Sequence, residues 1–174
     1  MKARFSAIAV ALLAVLLVAT PASAAEPPTV SAQDREYLNR AHGDNLFEIV
    51  SGNLVNRGSC ARVHELGPEF VAHHTALDTE LVAVATENGV PLYSAPGSAH
   101  LDRIADEAFR TGRDFDIAWL RDQIVVHQQG IAVAEWETRY GWSPDVKKLA
   151  ARSIPVLQEH LDEATAALET CALA

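Results

Sequence analysis

The chain has 174 residues, a formal net charge of −9 at neutral pH and two cysteines. Its length suits one domain with a sizeable core, and its acidic balance argues against nucleic acids and anionic lipid surfaces as partners. An acidic surface that keeps an exported protein soluble is the simplest account of the charge.

The N-terminal segment is typical of a secretory signal peptide. Two basic residues precede an apolar run at residues 7–18, and small residues follow at positions 22–24. The apolar run is short for a membrane span, although a retained N-terminal anchor is an alternative. We predict a secreted or cell-envelope protein with no stable membrane span after cleavage. The predicted organisation is a signal peptide at residues 1–24, a flexible lead-in at 25–30 and a helical bundle domain at 31–172.

Helix 1 is predicted from its capping residues and from the spacing of its apolar residues. It begins at Ser31, because Asp34 follows at the spacing of a capping box. It ends near residues 56–58, where a glycine suits the stop of a helix. Glu48 lies beside the apolar stripe of this helix and is therefore a candidate polar residue of the core.

Helix 2 follows Ser59 and ends near residues 88–89. Its apolar residues recur at steps of three and four, the spacing of a helix with one buried face. His74 occupies a position in the middle of that stripe. Pro68 either bends the helix or marks its true first turn.

Two further long helices follow a connection at residues 90–112, in which only residues 101–109 have a helical pattern. Helix 3, at residues 116–140, carries His127 in the middle of its apolar stripe. Helix 4 begins after Ser143, where a capping residue precedes a proline at the first position, and it carries His160. No segment alternates as a strand does, so the predicted class is all-α.

The topology of the four long helices depends on the long connection and on the cysteines. Short loops give an up-down-up-down bundle, whereas about 20 residues extend far enough to cross the length of a bundle and make helices 2 and 3 parallel, the ferritin-like arrangement. Cys60 and Cys171 lie at the same end only in the crossover arrangement. If they pair within one chain, as two cysteines of an exported protein usually do, a ferritin-like four-helix bundle follows; free or intermolecular thiols are the alternative.

The three mid-helix histidines are predicted to lie at one level of the core. His74, His127 and His160 are each about 11 to 13 residues from the helix end at a common pole, and a helix rises about 1.5 Å per residue. Together with Glu48 they form a candidate ligand set for a divalent transition metal, with zinc, copper or iron all suitable. The Glu-x-x-His motif of di-iron proteins is absent at all three histidines, so a di-iron centre is not expected.

A non-metal reading of the same residues stays open. Neighbours satisfy a buried neutral histidine by hydrogen bonding, and the candidate orienting partners are His73, Asp78 and Gln123. The alternative function is a non-catalytic structural or interaction protein of the cell envelope with a buried histidine network, or one in which histidine titration switches the packing. No serine–histidine–aspartate order, glycine-rich phosphate loop or Cys-x-x-Cys pair occurs, so no catalytic residue is predicted.

Several short motifs, in order along the chain, resemble a known family. The motifs are Asp34 with Tyr37, Glu48-Ile49 with Gly52, His74-Thr75, Gly89-Val90-Pro91, Phe115-Asp116, His127-Gln128, and Pro155 with Leu157 and His160-Leu161. Together they resemble domain-of-unknown-function family 4142, exported bacterial proteins with a ferritin-like helical bundle. The resemblance implies that Glu48, His74, His127 and His160 are polar core positions, and it implies no activity. One departure is His73, where the family usually has aspartate.

Overall fold

The computed structural model describes residues 29–173 and is helical throughout its regular structure. The all-α prediction is therefore confirmed for this range, while the predicted signal peptide and most of the predicted lead-in lie outside the described residues. A short 3-10 turn at Val55–Arg57 joins the first two helices. The helices are α1 (Ala32–Gly52), α2 (Ala61–Glu87), α3 (Ser98–Phe109), α4 (Gly112–Tyr140) and α5 (Pro144–Leu173).

The predicted start of α1 is confirmed, and its predicted end is wrong. Ser31 accepts a hydrogen bond from the backbone N–H of Asp34 at 3.1 Å, and the carboxylate of Asp34 accepts one from Ser31 in return. The helix stops at Gly52, several residues before the predicted position. A Cβ on Gly52 would lie 2.9 Å from the carbonyl oxygen of Gly67. The two backbones are therefore in close contact where α1 crosses α2.

One end of the molecule is defined by the starts of α2 and α4 and the end of α5. Asp116, in the first turns of α4, accepts hydrogen bonds from the backbone N–H groups of Ser59 and Cys60 at 3.0 and 2.9 Å. Cys60 is joined to Cys171 of α5 by a disulfide, with 5.8 Å between the Cα atoms. We call this the disulfide end. The chain between α2 and α4, which contains α3, therefore returns along the length of the long helices.

The core is divided into two apolar clusters with a polar layer between them. The cluster at the disulfide end contains Phe70, Trp119 and Leu120, and the cluster at the opposite end contains residues such as Leu81 and Leu149. On α2, α4 and α5 alike, a buried histidine lies in sequence between the members of the two clusters. The polar layer therefore sits at mid-height. Within residues 29–173, no helix combines the length and apolarity that crossing a membrane requires.

Two predicted helix details change in the structure. Pro68 lies inside α2 and does not mark its first turn, because the helix already begins at Ala61. The short helix of the connection begins at residue 98 and α4 begins at residue 112, both earlier than predicted. The predicted start of the last helix after Ser143 is confirmed.

Candidate metal centre

Three buried histidines meet in the polar layer, one from each of α2, α4 and α5. His74, His127 and His160 are 2 %, 1 % and 0 % exposed. One ring nitrogen from each lies within 4.8 Å of the other two. Nε2 of His127 is 3.3 Å from Nε2 of His74 and 3.1 Å from Nδ1 of His160. The structure therefore brings together three of the four predicted ligands through defined nitrogen atoms.

The proton position on His74 is set by Asn45 of α1. Nδ1 of His74 is 2.9 Å from Oδ1 of Asn45, and the amide nitrogen of Asn45 is directed at Oδ1 of Asp78, 3.5 Å away. Since this orientation presents a carbonyl oxygen to the ring, Nδ1 of His74 must be the donor. Nε2 of His74, the nitrogen that faces the other histidines, then carries a lone pair in the neutral ring.

The proton position on His127 is set by its own helix. Nδ1 of His127 is 2.8 Å from the backbone carbonyl oxygen of Gln123, one turn earlier. A carbonyl only accepts, so this nitrogen carries the proton and Nε2 carries the lone pair. The contact between His74 and His127 is consequently one between two lone pairs, with no donor at either nitrogen while both rings are neutral.

His160 is oriented by His73 and Phe70 from the neighbouring helix. Nε2 of His160 is 2.9 Å from Nδ1 of His73, and the ring of Phe70 stacks on His160 with centroids 4.1 Å apart. When Nε2 of His160 donates to His73, its Nδ1 presents a third lone pair to the cluster. In the opposite tautomer, Nδ1 of His160 donates to His127 instead.

Burial keeps these rings neutral at physiological pH. It lowers the pKa of His127 to about 4, and burial together with repulsion from His127 and His73 lowers the pKa of His160 to about 3. Burial, reinforced by the three neighbouring histidines, lowers the pKa of His74 well below its usual value. An additional proton shared between the rings is therefore disfavoured.

Glu48, the fourth predicted ligand, lies beside the cluster on the outer side of His127. Its Oε1 is 3.9 Å from Nδ1 of His127, the nitrogen that faces away from the other histidines. Both carboxyl oxygens are buried without a hydrogen-bond partner. Burial raises the pKa of Glu48 well above its usual value. The structure therefore does not bring Glu48 among the three facing nitrogens.

Several polar residues around the cluster were missed or misplaced by sequence reasoning. His42, which the sequence analysis did not single out, is 8 % exposed, and its Nδ1 lies 2.6 Å from Oδ1 of Asp78. Asn45 was not singled out, although positions 42, 45 and 48 share one face of α1 by their spacing of three. Glu107 of α3 accepts a hydrogen bond from Ser51 at 2.8 Å, and no local pattern indicated this contact.

The fold and the site together define a class: an all-helical protein whose core holds a buried three-histidine cluster. The family model for Domain of unknown function (DUF4142) matches residues 19–167. The chain therefore belongs to this family, as its motifs predicted. No significant match to the chain is found among curated proteins or among solved structures.

Proposed function

We propose that this protein binds one divalent transition-metal ion in its core through His74, His127 and His160. The observation that carries the proposal is the distance of 3.3 Å between Nε2 of His74 and Nε2 of His127. Nδ1 of each ring already donates a hydrogen bond to another group. Two facing lone pairs repel each other unless a cation lies between them. The hydrogen bonds on the outer nitrogens are those that metal-binding histidines typically make.

The spacing of the nitrogens supports the same proposal. Zinc–nitrogen bonds of about 2.0–2.1 Å in a tetrahedral site separate neighbouring ligand atoms by about 3.3–3.4 Å. Two of the three separations, 3.3 and 3.1 Å, are close to this value, and the nitrogens of His74 and His160 lie within 4.8 Å of each other. Three imidazoles without a thiolate suit zinc, copper or iron, and water or a substrate takes the remaining position of an open site.

Glu48 has a distinct proposed role. A buried cation needs a compensating negative charge, and Glu48 is the carboxyl group beside His127. It supplies that charge next to the ring, and a side-chain rotation makes it the fourth ligand. Comparing the metal bound per chain in Glu48→Gln and in the wild type measures how strongly metal binding depends on this charge.

We also propose a ferritin-like four-helix bundle formed by α1, α2, α4 and α5, with α3 in the crossover connection. The support is the shared disulfide end of α2, α4 and α5, because only a crossover makes α2 and α4 parallel. The proposed organisation retains a signal peptide at residues 1–24, a lead-in at 25–30 and the domain at 31–172. A disulfide between Cys60 and Cys171 supports a secreted or cell-envelope location, where oxidising conditions preserve such bonds.

The experiment that tests metal binding is elemental analysis of protein purified without a histidine tag, alongside His127→Ala and the matched control His64→Ala. His64 is exposed, so its loss leaves the cluster intact. We expect close to one metal per chain in the wild type and the control, and at least a tenfold loss in His127→Ala. The same metal should raise the melting temperature of the wild type and of the control only, because a ligand of the native state stabilises it.

The structural alternative makes the opposite set of predictions. If the histidines form a network without a metal, the purified protein contains no metal, and zinc, copper, iron or manganese does not change its melting temperature. Replacing the three histidines by apolar side chains then leaves the stability of the protein largely unchanged. Those results would refute the proposal.

A further inference from the structure

A partly open cavity of about 40 Å³ adjoins the histidine cluster. Side chains from α1, α2, α4 and α5 all line it. Its polar lining comprises Tyr37, Asp44, Asn45, Glu48, His74, His127 and Ser153. Its apolar wall is lined by Leu77, Leu81, Val126, Val133, Leu149 and Leu157.

The volume of the cavity limits the size of any occupant. One water molecule needs roughly 10–15 Å³ of such a cavity. A space of about 40 Å³ therefore holds about three or four non-hydrogen atoms. The leucine and valine side chains on one side of the cavity favour contact with apolar atoms of an occupant.

Glu48 is the polar residue of the cavity whose hydrogen-bonding groups are least satisfied. Neither carboxyl oxygen of Glu48 makes a hydrogen bond of normal geometry, although the side chain of Gln123 lies close enough to oppose the effect of burial on the pKa of Glu48, and the residue is 1 % exposed. Buried polar atoms in folded proteins are nearly always paired, and leaving one unpaired is costly. An occupant that places a hydrogen-bonding group at Glu48 removes that cost.

The charges around the cavity discriminate against anions. No lysine or arginine occurs among the residues that line it, whereas two carboxyl groups do. One of these, Asp44, is paired with His100 at 2.7 Å and also borders an outer surface groove. A negatively charged occupant would lose its hydration without gaining a partner.

We propose that this cavity binds a neutral molecule of three or four non-hydrogen atoms with one hydroxyl group and a short apolar chain, of the class of short-chain alcohols. The hydroxyl hydrogen-bonds to Glu48, and the chain contacts the leucine and valine side chains. This inference goes beyond the proposed metal site, because the binding requires no metal.

The test is a methyl NMR titration of the metal-free chain with 1-propanol, xenon and propionate. We expect saturable shifts of the methyl groups of Leu81 and Leu149 with 1-propanol, at millimolar concentrations, because four non-hydrogen atoms limit the dissociation constant to tens of micromolar at best. Propionate should bind at least tenfold more weakly. Saturation by xenon without saturation by 1-propanol would refute the role of Glu48, and no saturable shift with either probe would refute the site.

Two variants and a control locate the binding. Ala41→Leu adds side-chain volume at a residue that lines the cavity and should abolish the shifts, whereas Ala32→Leu on the exposed side of α1 should leave them unchanged. If Ala41→Leu does not fold, Gly130→Ala serves instead, because its added Cβ lies 3.4 Å from Leu157, an ordinary contact. Unchanged binding in the folded filled variant would refute the proposal. Because these titrations use metal-free protein, metal binding and cavity binding can each fail separately.

Discussion

At the scale of single residues, hydrogen-bond partners decide which histidine nitrogens of the polar layer are donors and which are acceptors. Asn45 and the backbone carbonyl of Gln123 each hold one histidine nitrogen as a donor, and the opposite nitrogen is thereby left as an acceptor. The same histidines with other partners would hydrogen-bond to one another and form an ordinary buried network. The metal proposal therefore depends on neighbours as much as on the histidines themselves.

A second residue-scale feature is the buried carboxyl group of Glu107. Burial raises its pKa to about 7 from an ordinary value of 4.5, although its hydrogen bond with Ser51 acts in the opposite direction. Between these two pH values the native state binds more protons than the unfolded state, so the free energy of unfolding falls as the pH rises. The stability that the neutral carboxyl group contributes is complete below about pH 4.5 and is lost as the pH rises through about 7.

Glu107→Gln should flatten this pH dependence, because glutamine reproduces the neutral carboxyl group at every pH. The difference between wild type and variant should change by roughly 3 kcal/mol at most between pH 4.5 and 8. Glu48 and Glu137 titrate in the same direction, so the comparison requires urea denaturation of both proteins at each pH. The exposed control Glu135→Gln should follow the wild type. Parallel profiles for wild type and Glu107→Gln would show that Glu107 does not contribute.

At the scale of the elements, the start of α2 is held by a side chain of α4. Asp116 is 1 % exposed and accepts from the hydroxyl and N–H of Ser59 and from the N–H of Cys60. It thereby replaces the local cap that α2 lacks. A Cβ on Gly58 would lie 2.0 Å from Oδ1 of Asp116, so the close approach requires glycine there. The sequence had indicated Gly58 only as a helix stop.

Asp116→Ala should lower the free energy of unfolding by about 1–3 kcal/mol, because it leaves the part-buried N–H groups of Ser59 and Cys60 without their acceptor. Asp114→Ala is the matched control. Asp114 is an exposed acidic residue in the same first turn, and its loss should cost at most about 1 kcal/mol through the helix dipole. Chemical denaturation of the two variants measures the difference, and equal stabilities would contradict the role assigned to Asp116.

At the scale of the whole molecule, the disulfide joins residues that are far apart in the chain. Cys60 and Cys171 are separated by 111 residues, and a crosslink that closes a long loop restricts the unfolded chain strongly. It connects the first residue before α2 to the last turn of α5, so it holds together helices that share the histidine cluster.

Removing this crosslink should lower the free energy of unfolding by roughly 3–5 kcal/mol. The variant is Cys60→Ala with Cys171→Ala, and chemically reduced wild type is the matched comparison because it keeps both side chains. Both should shift to lower denaturant midpoints by similar amounts under identical metal-free conditions. A double variant as stable as the oxidised wild type would contradict a stabilising role for the bond.

The sequence by itself determined the helices, several of their ends and the level of the histidines. Capping residues are local signals, so Ser31 and Ser143 indicated helix starts correctly. The common level of His74, His127 and His160 followed from counting residues, because the rise of a helix is nearly constant. These properties depend on neighbours in sequence, and a single chain contains that information.

Only the tertiary structure decided how each helix is rotated and what each polar group meets. On α4 the structure buries Gln123 and Glu137 completely and leaves Ile117 and Ile131 partly exposed, although apolar spacing alone favours burial of the isoleucines. The tertiary structure alone also decided three further features: the contact of Glu107 with Ser51, the outward position of Glu48 and the cavity beside Glu48. The physical reason is that helix rotation is set by interlocking side chains and buried hydrogen bonds between helices. Those partners lie tens of residues apart, so no periodicity along one helix specifies them.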